Sequence, residues 1–378
     1  MIYLDNAATT RLRPEVRAAM EPFFDRDYGN PSSIHSAGRR ARRALEDARE
    51  AVAGCLGGDP KEIVFTSGAT ESNLLAVAGV AEALRPRSDH VVVSEIEHPS
   101  VLEPVARLER QGWRVTRVPV DGEGLVDPMT VAKAVTPRTA LVSVMSVNNE
   151  VGAVQPLDAI RRAAPGIVLH CDAAQAVGKI PVDTRNVDLL TFSAHKMHGP
   201  KGVGGLWIRK GTPLAPQALG GGQEFEKRAG TENVAGIAGF AAAMTLAVAG
   251  QAAESARMES LRARLKSGLE RLGGTRVSGP EDRRSSHILN IAFEGVDGEA
   301  AILSLDASGV CVSSGSACAS LSRQPSHVLK AMGMSPDVLR GSLRFSLSPL
   351  TTEDDIDGAV AATTAVIGRL RKISTVER

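Results

Sequence analysis

Residues 187–205 read VDLLTFSAHKMHGPKGVGG, an apolar run that ends in Ser193-Ala194-His195-Lys196 and passes through a Gly/Pro-rich turn into a second run, Gly204–Ile208. Both runs are apolar on both faces, the pattern of strands in a sheet covered by helices. Working outward, similar short runs occur at Glu62–Thr66 (EIVFT), His90–Ser94 (HVVVS), Val115–Val118, Ala140–Met145 and Ile167–Cys171. Helical patterns lie between most of them, at Thr70–Leu84, Pro99–Gln111 and Pro156–Ala164. This alternation predicts an α/β fold built on a mostly parallel seven-stranded sheet with crossover helices.

The flanks of this region read differently. Pro14 opens a first helix, where its missing N–H costs nothing. Ser36 precedes a helical run with Ala41, Ala44, Leu45, Ala48 and Val52 on one side, closed by Gly57 and Gly58. Arg39, Arg40, Arg42, Arg43 and Arg49 fall in that run. Glu46, Asp47 and Glu50 lie three to four residues from several of them, which favours an ion-paired solvated face over a nucleic-acid patch. Past residue 250 come a helix-like stretch (Ala253–Leu272), a strand (His287–Phe293), a helix (Glu299–Ser308), a small polar loop and another strand (Ser342–Leu347). A last helix starts near Thr352. Glu353, Asp354 and Asp355 in its first turn and Arg369, Arg371 and Lys372 in its last complement the helix dipole, and Ile356, Val360, Ile367 and Leu370 form its apolar stripe. The expected organisation is a large α/β domain over residues 13–255 and a smaller α+β domain made of residues 1–12 and 256–378.

Composition sets the outer bounds. A chain of 378 residues has length for two or three domains. Its 44 Lys and Arg against 43 Asp and Glu leave no global field to recruit nucleic acid or an anionic membrane. Cys55, Cys171, Cys311 and Cys318 are too scattered for a disulfide framework. The start, MIYLDNAATT, has neither signal-peptide nor transit-peptide character, so a cytoplasmic location is expected. The uncharged stretch Val234–Gly250 is built mainly from Ala and Gly, which favours a close-packed buried helix over a membrane span.

The chemistry is concentrated at predicted strand ends. A lysine fixed there among small residues, as Lys196 is, is a Schiff-base candidate; a surface or phosphate-binding lysine is the competing reading. Upstream, Asp172 in His170-Cys171-Asp172-Ala173-Ala174-Gln175 also ends a strand. Pyridoxal phosphate needs an acid beside its pyridinium nitrogen and a lysine at its carbonyl, and ligands of open α/β sheets bind at this edge. A helix N-cap is the alternative role for Asp172. Residues 66–73, TSGATESN, follow a strand and open a helix, as a phosphate cradle does.

In order, YLDNAATT, GNPSSIHSAG, TSGATESN, EHPSV, VNNEVG, HCDAAQAVGK, SAHKMHGPKG, RAGTENV, SSGSACAS and LRFSLS resemble the cysteine desulfurases of the NifS/IscS type, in the class-V aminotransferase family of fold-type I pyridoxal-phosphate enzymes. The likeness runs from Tyr3 to about Ile356. It implies a Schiff-base role for Lys196, a pyridinium contact for Asp172 and a ring-stacking, proton-transferring role for His98. Gln175 and Asn149 then contact the ring-oxygen side and the substrate pocket. Ala69, Thr70, Ser193 and His195 hold the phosphate, and Thr231 reaches the phosphate of a neighbouring subunit in a homodimer. Arg344 clamps the substrate carboxylate. Read without the resemblance, His98 could simply precede a helix, Asn149 could cap a turn, and Arg344 could lie on the solvated face of an edge strand.

Cys318 sits among small polar residues (SSGSACASLS), a setting for a reachable thiol; the resemblance makes it the nucleophile that becomes a persulfide. Cys311 reads as buried packing, and Cys171 and Cys55 as structural. A zinc site at Cys171, His195 and His198 lacks a second Cys/His pair at structural spacing, and no metal is expected. The implied reaction converts L-cysteine to L-alanine, with Lys196 moving the Cα proton and Cys318 taking the sulfur on to an acceptor such as an iron–sulfur scaffold. Leu74 and Ala319 stand where the family often has Asn and Thr. A selenocysteine lyase would share nearly every motif. An aminotransferase would not need Cys318, and a non-catalytic scaffold would be free to lose these residues.

Overall fold

The computed structural model describes residues 1–314 and 325–374. A short strand β1 (Ile2–Tyr3) leads into a strap over residues 4–13, then helices α1 (Pro14–Met20), α2 (Pro22–Asp25) and α3 (Ser36–Leu56). Alternating elements follow: β2 (Ile63–Thr66), α4 (Ala69–Leu84), β3 (His90–Ser94), α5 (Pro99–Arg110), β4 (Arg114–Val118), α6 (Pro128–Ala134), β5 (Thr139–Ser143), α7 (Leu157–Ala163), β6 (Val168–Asp172), β7 (Leu189–Ser193) and β8 (Gly204–Ile208). A long helix α8 (Val234–Glu270) precedes β9 (Thr275–Ser278), β10 (Ile288–Phe293), α9 (Gly298–Ala307), β11 (Val310–Cys311), α10 (His327–Ala331), α11 (Pro336–Gly341), β12 (Ser342–Ser346) and α12 (Glu353–Ser374).

The seven predicted runs form one sheet in the order β2-β8-β7-β6-β5-β3-β4. Neighbours from β7 through β4 are parallel, and β8 is antiparallel to both β7 and β2. β2, β3, β5, β7 and β8 are buried throughout, which explains why they read as continuous apolar runs. The parallel strands β3, β5, β6 and β7 send their C-terminal ends to one edge, and that edge carries the site.

Residues 253–272 do not make a helix of their own. They continue α8, whose first half packs Ile237, Phe240, Ala243 and Met244 into the core under the seven-stranded sheet. Its second half packs Met258, Leu261, Leu265 and Leu269 into a separate core with β10, β12 and α12. Val234–Gly250 is therefore half of a helix shared between two cores, and packing on α1 and α3 rather than lipid accounts for its apolar character. A three-stranded antiparallel sheet, β12-β10-β9, and the parallel pair β1-β11 complete the second region. Two residues per strand are too few to show a period, so β1 and β11 left no trace in the sequence pattern.

Two expectations, for Arg49 and Cys311, and one alternative reading, for Arg344, need correction. Arg49 does not share the solvated face of α3: it is 2% exposed and makes a bidentate pair with Glu224 at 2.8 Å. Arg42–Glu46 and Arg43–Asp47 do lie on that face. Cys311 is only half-buried, its sulfur 3.8 Å from the Asp306 carboxylate. Arg344 lies on an edge strand but is 1% exposed, because residues 5 and 313 bridge to β12 and cover it.

Candidate active site

Two adjacent parallel strands supply the centre. β6 ends at Asp172 and β7 ends at Ser193, with Lys196 in the tight helical turn that follows. Asp172 pairs with Thr191 across the two strands, which fixes the distance between the acid and the lysine segment through backbone register alone. Its Oδ1 accepts from the Ala174 N–H at 2.9 Å and its Oδ2 from Asn73 Nδ2 at 2.8 Å. Residues 174–179 form turns and not a helix, so Asp172 closes a tight turn and is no helix N-cap, and both of its oxygens are held in fixed orientation. Asn73, one turn into α4, was not singled out in the sequence, although it closes the TSGATESN motif.

Lys196 Nζ donates to the carbonyls of Ala7 and Ala8 at 2.6 and 2.7 Å. His195 Nδ1 lies 3.1 Å from Thr9 Oγ1, and burial, aided by the charges of Lys196, Lys201 and Lys179, pushes its imidazole down to about 4. It is neutral at pH 7. His98 caps α5, its Nδ1 accepting from the Ser100 N–H at 3.1 Å. Burial lowers its pKa, with Asp172 opposing and Lys196 reinforcing the shift. Arg344 donates from Nη2 to Asp5 Oδ1 at 2.8 Å and from Nη1 to the Asn149 carbonyl at 2.9 Å. Asp5 and Arg344 are 339 residues apart in the chain.

These groups line one cleft of about 460 Å³. His98, Asn149, Asp172, Gln175, Ser193, His195, Lys196 and Arg344 all reach it, as do Ala69 and Thr70 at the start of α4. Thr231 is exposed and does not line the cleft of its own chain. Cys318 lies outside the described residues. Glu150, Lys201 and His327 line the cleft without having been singled out. Glu150 accepts from Ser326 Oγ, and His327 Nε2 donates to the Glu97 carbonyl at 2.9 Å. The strap carbonyls of Ala7 and Ala8 were also missed; YLDNAATT was visible as a motif, but nothing in it announces a backbone acceptor.

The residues suit pyridoxal phosphate. Ser193 Oγ is buried with no hydrogen-bond partner among the described residues and lies beside Gly68, the N-cap of α4. A buried hydroxyl next to helix N-terminal N–H groups is chemistry that suits an anion such as phosphate. The backbone there is tightly set: a Cβ on Gly204 would come within 2.7 Å of Gly68 Cα, so β8 and the cradle touch through bare backbone. An oriented carboxylate and an amine lie beyond the cradle, the two contacts the ring and its carbonyl need.

The sequence profile of the aminotransferase class-V family matches residues 2–358. A cysteine desulfurase IscS of Dictyoglomus turgidum is 47% identical over 378 residues, covering 99% of this chain and 96% of that protein. Among solved structures, a NifS-like protein superposes with a TM-score of 0.93 at 40% identity, over 97% of this chain and 99% of that one. A structure of SspA in complex with cysteine gives 0.83 at 34% identity, over 93% and 100%. With that profile running through every strand end of the cleft, the chain belongs to the class-V aminotransferase family and is a pyridoxal-phosphate enzyme.

Proposed function

We propose that this protein is a cysteine desulfurase, which converts L-cysteine to L-alanine and carries the sulfur as a Cys318 persulfide to an acceptor protein for iron–sulfur cluster assembly. The observation that carries this reading is the presence of Lys196 and Arg344 in one cleft, in a chain whose relatives bear that name. An amine suited to a Schiff base shares the cleft with a guanidinium suited to a bidentate carboxylate clamp, the pair of handles an α-amino acid offers.

When bound, pyridoxal phosphate supplies an electron sink for charge at the substrate Cα. Ser193, His195 and the start of α4 at Ala69 and Thr70 would hold its phosphate, and Asp172 would keep a proton on the ring nitrogen. His98 would stack on the ring, and Gln175 and Asn149, which line the same cleft, would contact its oxygen side and the substrate. Arg344 would orient the substrate carboxylate, and the Lys196 amine would take the Cα proton as a base. The Cys318 thiolate attacks the substrate sulfur: an S–S bond forms, the substrate C–S bond breaks, and the electron pair left on Cβ takes a proton to complete alanine.

Residues 13–255 then hold the cofactor, while residues 1–12 and 256–378 form the smaller unit that brings Arg344 and Cys318 to it; the division of α8 between two cores supports this. Two copies pair so that Thr231 of each reaches the phosphate of the other, a role its exposure permits. The cytoplasm suits a reactive thiol of this kind.

The test is release of alanine and sulfide from L-cysteine, with added pyridoxal phosphate and dithiothreitol, by the intact protein and by Cys318→Ala. Equal amounts of both products from the intact protein alone are expected. Equal turnover by both proteins removes Cys318 from the mechanism, and no turnover by the intact protein overturns the assignment.

A further inference from the structure

Gln175 is embedded in a buried network that ends in a second lysine. Its Nε2 donates to the Ala7 carbonyl at 2.9 Å, the carbonyl that also accepts from Lys196 Nζ at 2.6 Å. Its Oε1 lies 3.3 Å from Lys179 Nζ and 3.1 Å from His287 Nε2. Lys179, Gln175 and His287 are 8%, 4% and 0% exposed. Lys179 also lines a second, smaller cavity of about 70 Å³ that Lys196 borders as well.

The orientation of this amide is over-determined. The Ala7 carbonyl can only accept, so the end of Gln175 that meets it must be NH2. The other end is then the oxygen, an acceptor only, so His287 must carry its proton on Nε2. Its Nδ1, 2.6 Å from Ser285 Oγ, accepts from that hydroxyl. Burial holds His287 well below the ordinary imidazole range, so it is neutral and has one N–H to give. Both lone pairs of Oε1 are taken, and one N–H of Gln175 is left to face the cleft. An atom of the bound cofactor beside Gln175 must therefore be an acceptor.

We infer that Lys179 and His287 are positioning residues that lock the Gln175 amide, so that it presents an N–H and never its oxygen to the ring oxygen of the cofactor. This rests on the reading of the cleft as the cofactor site. A donor at that oxygen draws off the negative charge that holds the neighbouring Schiff-base proton, so the proton leaves at lower pH. The groups facing Lys179 and His287 are Lys196 and, for His287, Arg344, with His198, Arg13 and Glu254 around the cavity. Burial, aided by Lys196, pushes Lys179 down to about 7, and it donates to Gln175 in either protonation state.

The experiment follows the pH midpoint of the visible absorption band of the bound cofactor in the holoprotein. In Lys179→Met the midpoint is expected to rise by about one pH unit, the scale of one lost charged hydrogen bond. His287→Leu should give a smaller rise, and His287→Gln, which keeps a donor, should restore the parent value. In a Gln175→Ala background, itself shifted upward, Lys179→Met should add nothing, because residues that act through a third are not additive with it. An unmoved midpoint in both single variants overturns the inference, as does an equal Lys179→Met shift with and without Gln175, which would mean that the charge acts directly. A parent protein that takes up pyridoxal phosphate but releases no alanine leaves this inference standing and defeats the desulfurase reading. One that takes up no cofactor defeats both.

Discussion

The two edges of the seven-stranded sheet handle charge in opposite ways. At the N-terminal edge Asp89, just before β3, is paired with Arg138 at 2.9 Å and Arg114 at 2.8 Å, and these hydrogen bonds pull its carboxyl down to about 2. Asp188, just before β7, is likewise held by Arg161 and Arg209. At the C-terminal edge Glu97, three residues past β3, is fully buried, and desolvation pushes its carboxyl up to about 8 against the opposing bonds from Ser94 and the Met145 N–H. Arginines in water neutralise the first edge. At the second, carboxyl and imidazole groups are buried or half-buried beside the cleft, and desolvation moves their protonation states from their ordinary values. Perturbed groups gathered in a cleft mark the working edge of an open α/β sheet.

The sharpest challenge to this contrast is Lys196→Ala, which should lower alanine release by about a thousandfold or more, since nucleophile and base are lost together; a variant retaining a tenth of the activity would place the chemistry elsewhere. Arg344→Lys comes next. It keeps the charge but loses the bidentate fork, so KM for L-cysteine should rise about tenfold while kcat changes less, measured by steady-state alanine release. Glu97 tests whether water is kept from the carboxyl buried behind the working edge. Its folded pKa is raised, so its contribution to stability is fully present below the unfolded carboxyl value and is lost as pH rises towards about 8. Glu97→Gln should therefore gain on the parent by about 1 kcal/mol per pH unit across that window, read as the difference in urea midpoints between pH 5.5 and 8. A constant difference would mean that water reaches the carboxyl. The smallest effect is expected at the other edge. Asp89 has a lowered pKa, so its contribution is present above the ordinary carboxyl value and is lost as pH falls through about 2. Because the pair is exposed and screened, Asp89→Asn should leave the urea midpoint at pH 7 unchanged and cysteine turnover intact.

The legible parts of the site are those whose geometry is local. Asp172 and Ser193 end short apolar runs that read as strands, Lys196 follows the second, and strand pairing sets them side by side. Ala69 and Thr70 were found because a strand-turn-helix signature lies in consecutive residues. Asn73, Lys179, His287 and the Ala7 and Ala8 carbonyls escaped for a common reason: each acts on a site residue through a contact that no periodicity records. The fold shows the same division. The seven runs were legible because burial on both faces leaves a continuous apolar signal, whereas β1 and β11 are too short to leave one.

Arg344 marks where the sequence stops. Alternating with Leu343 and Phe345, it reads equally as a surface residue of an edge strand, and only the strap from the chain start, laid over β12, buries it and gives it Asp5 as a partner. By itself the sequence determined the strands and their ends, since these follow from periodicity and from residues a few positions apart; the parts given to Asp172 and Lys196 there came from the family resemblance. The tertiary structure alone decided which distant groups orient them, because contacts across 339 residues of chain depend on how two cores pack along α8, which no local pattern encodes.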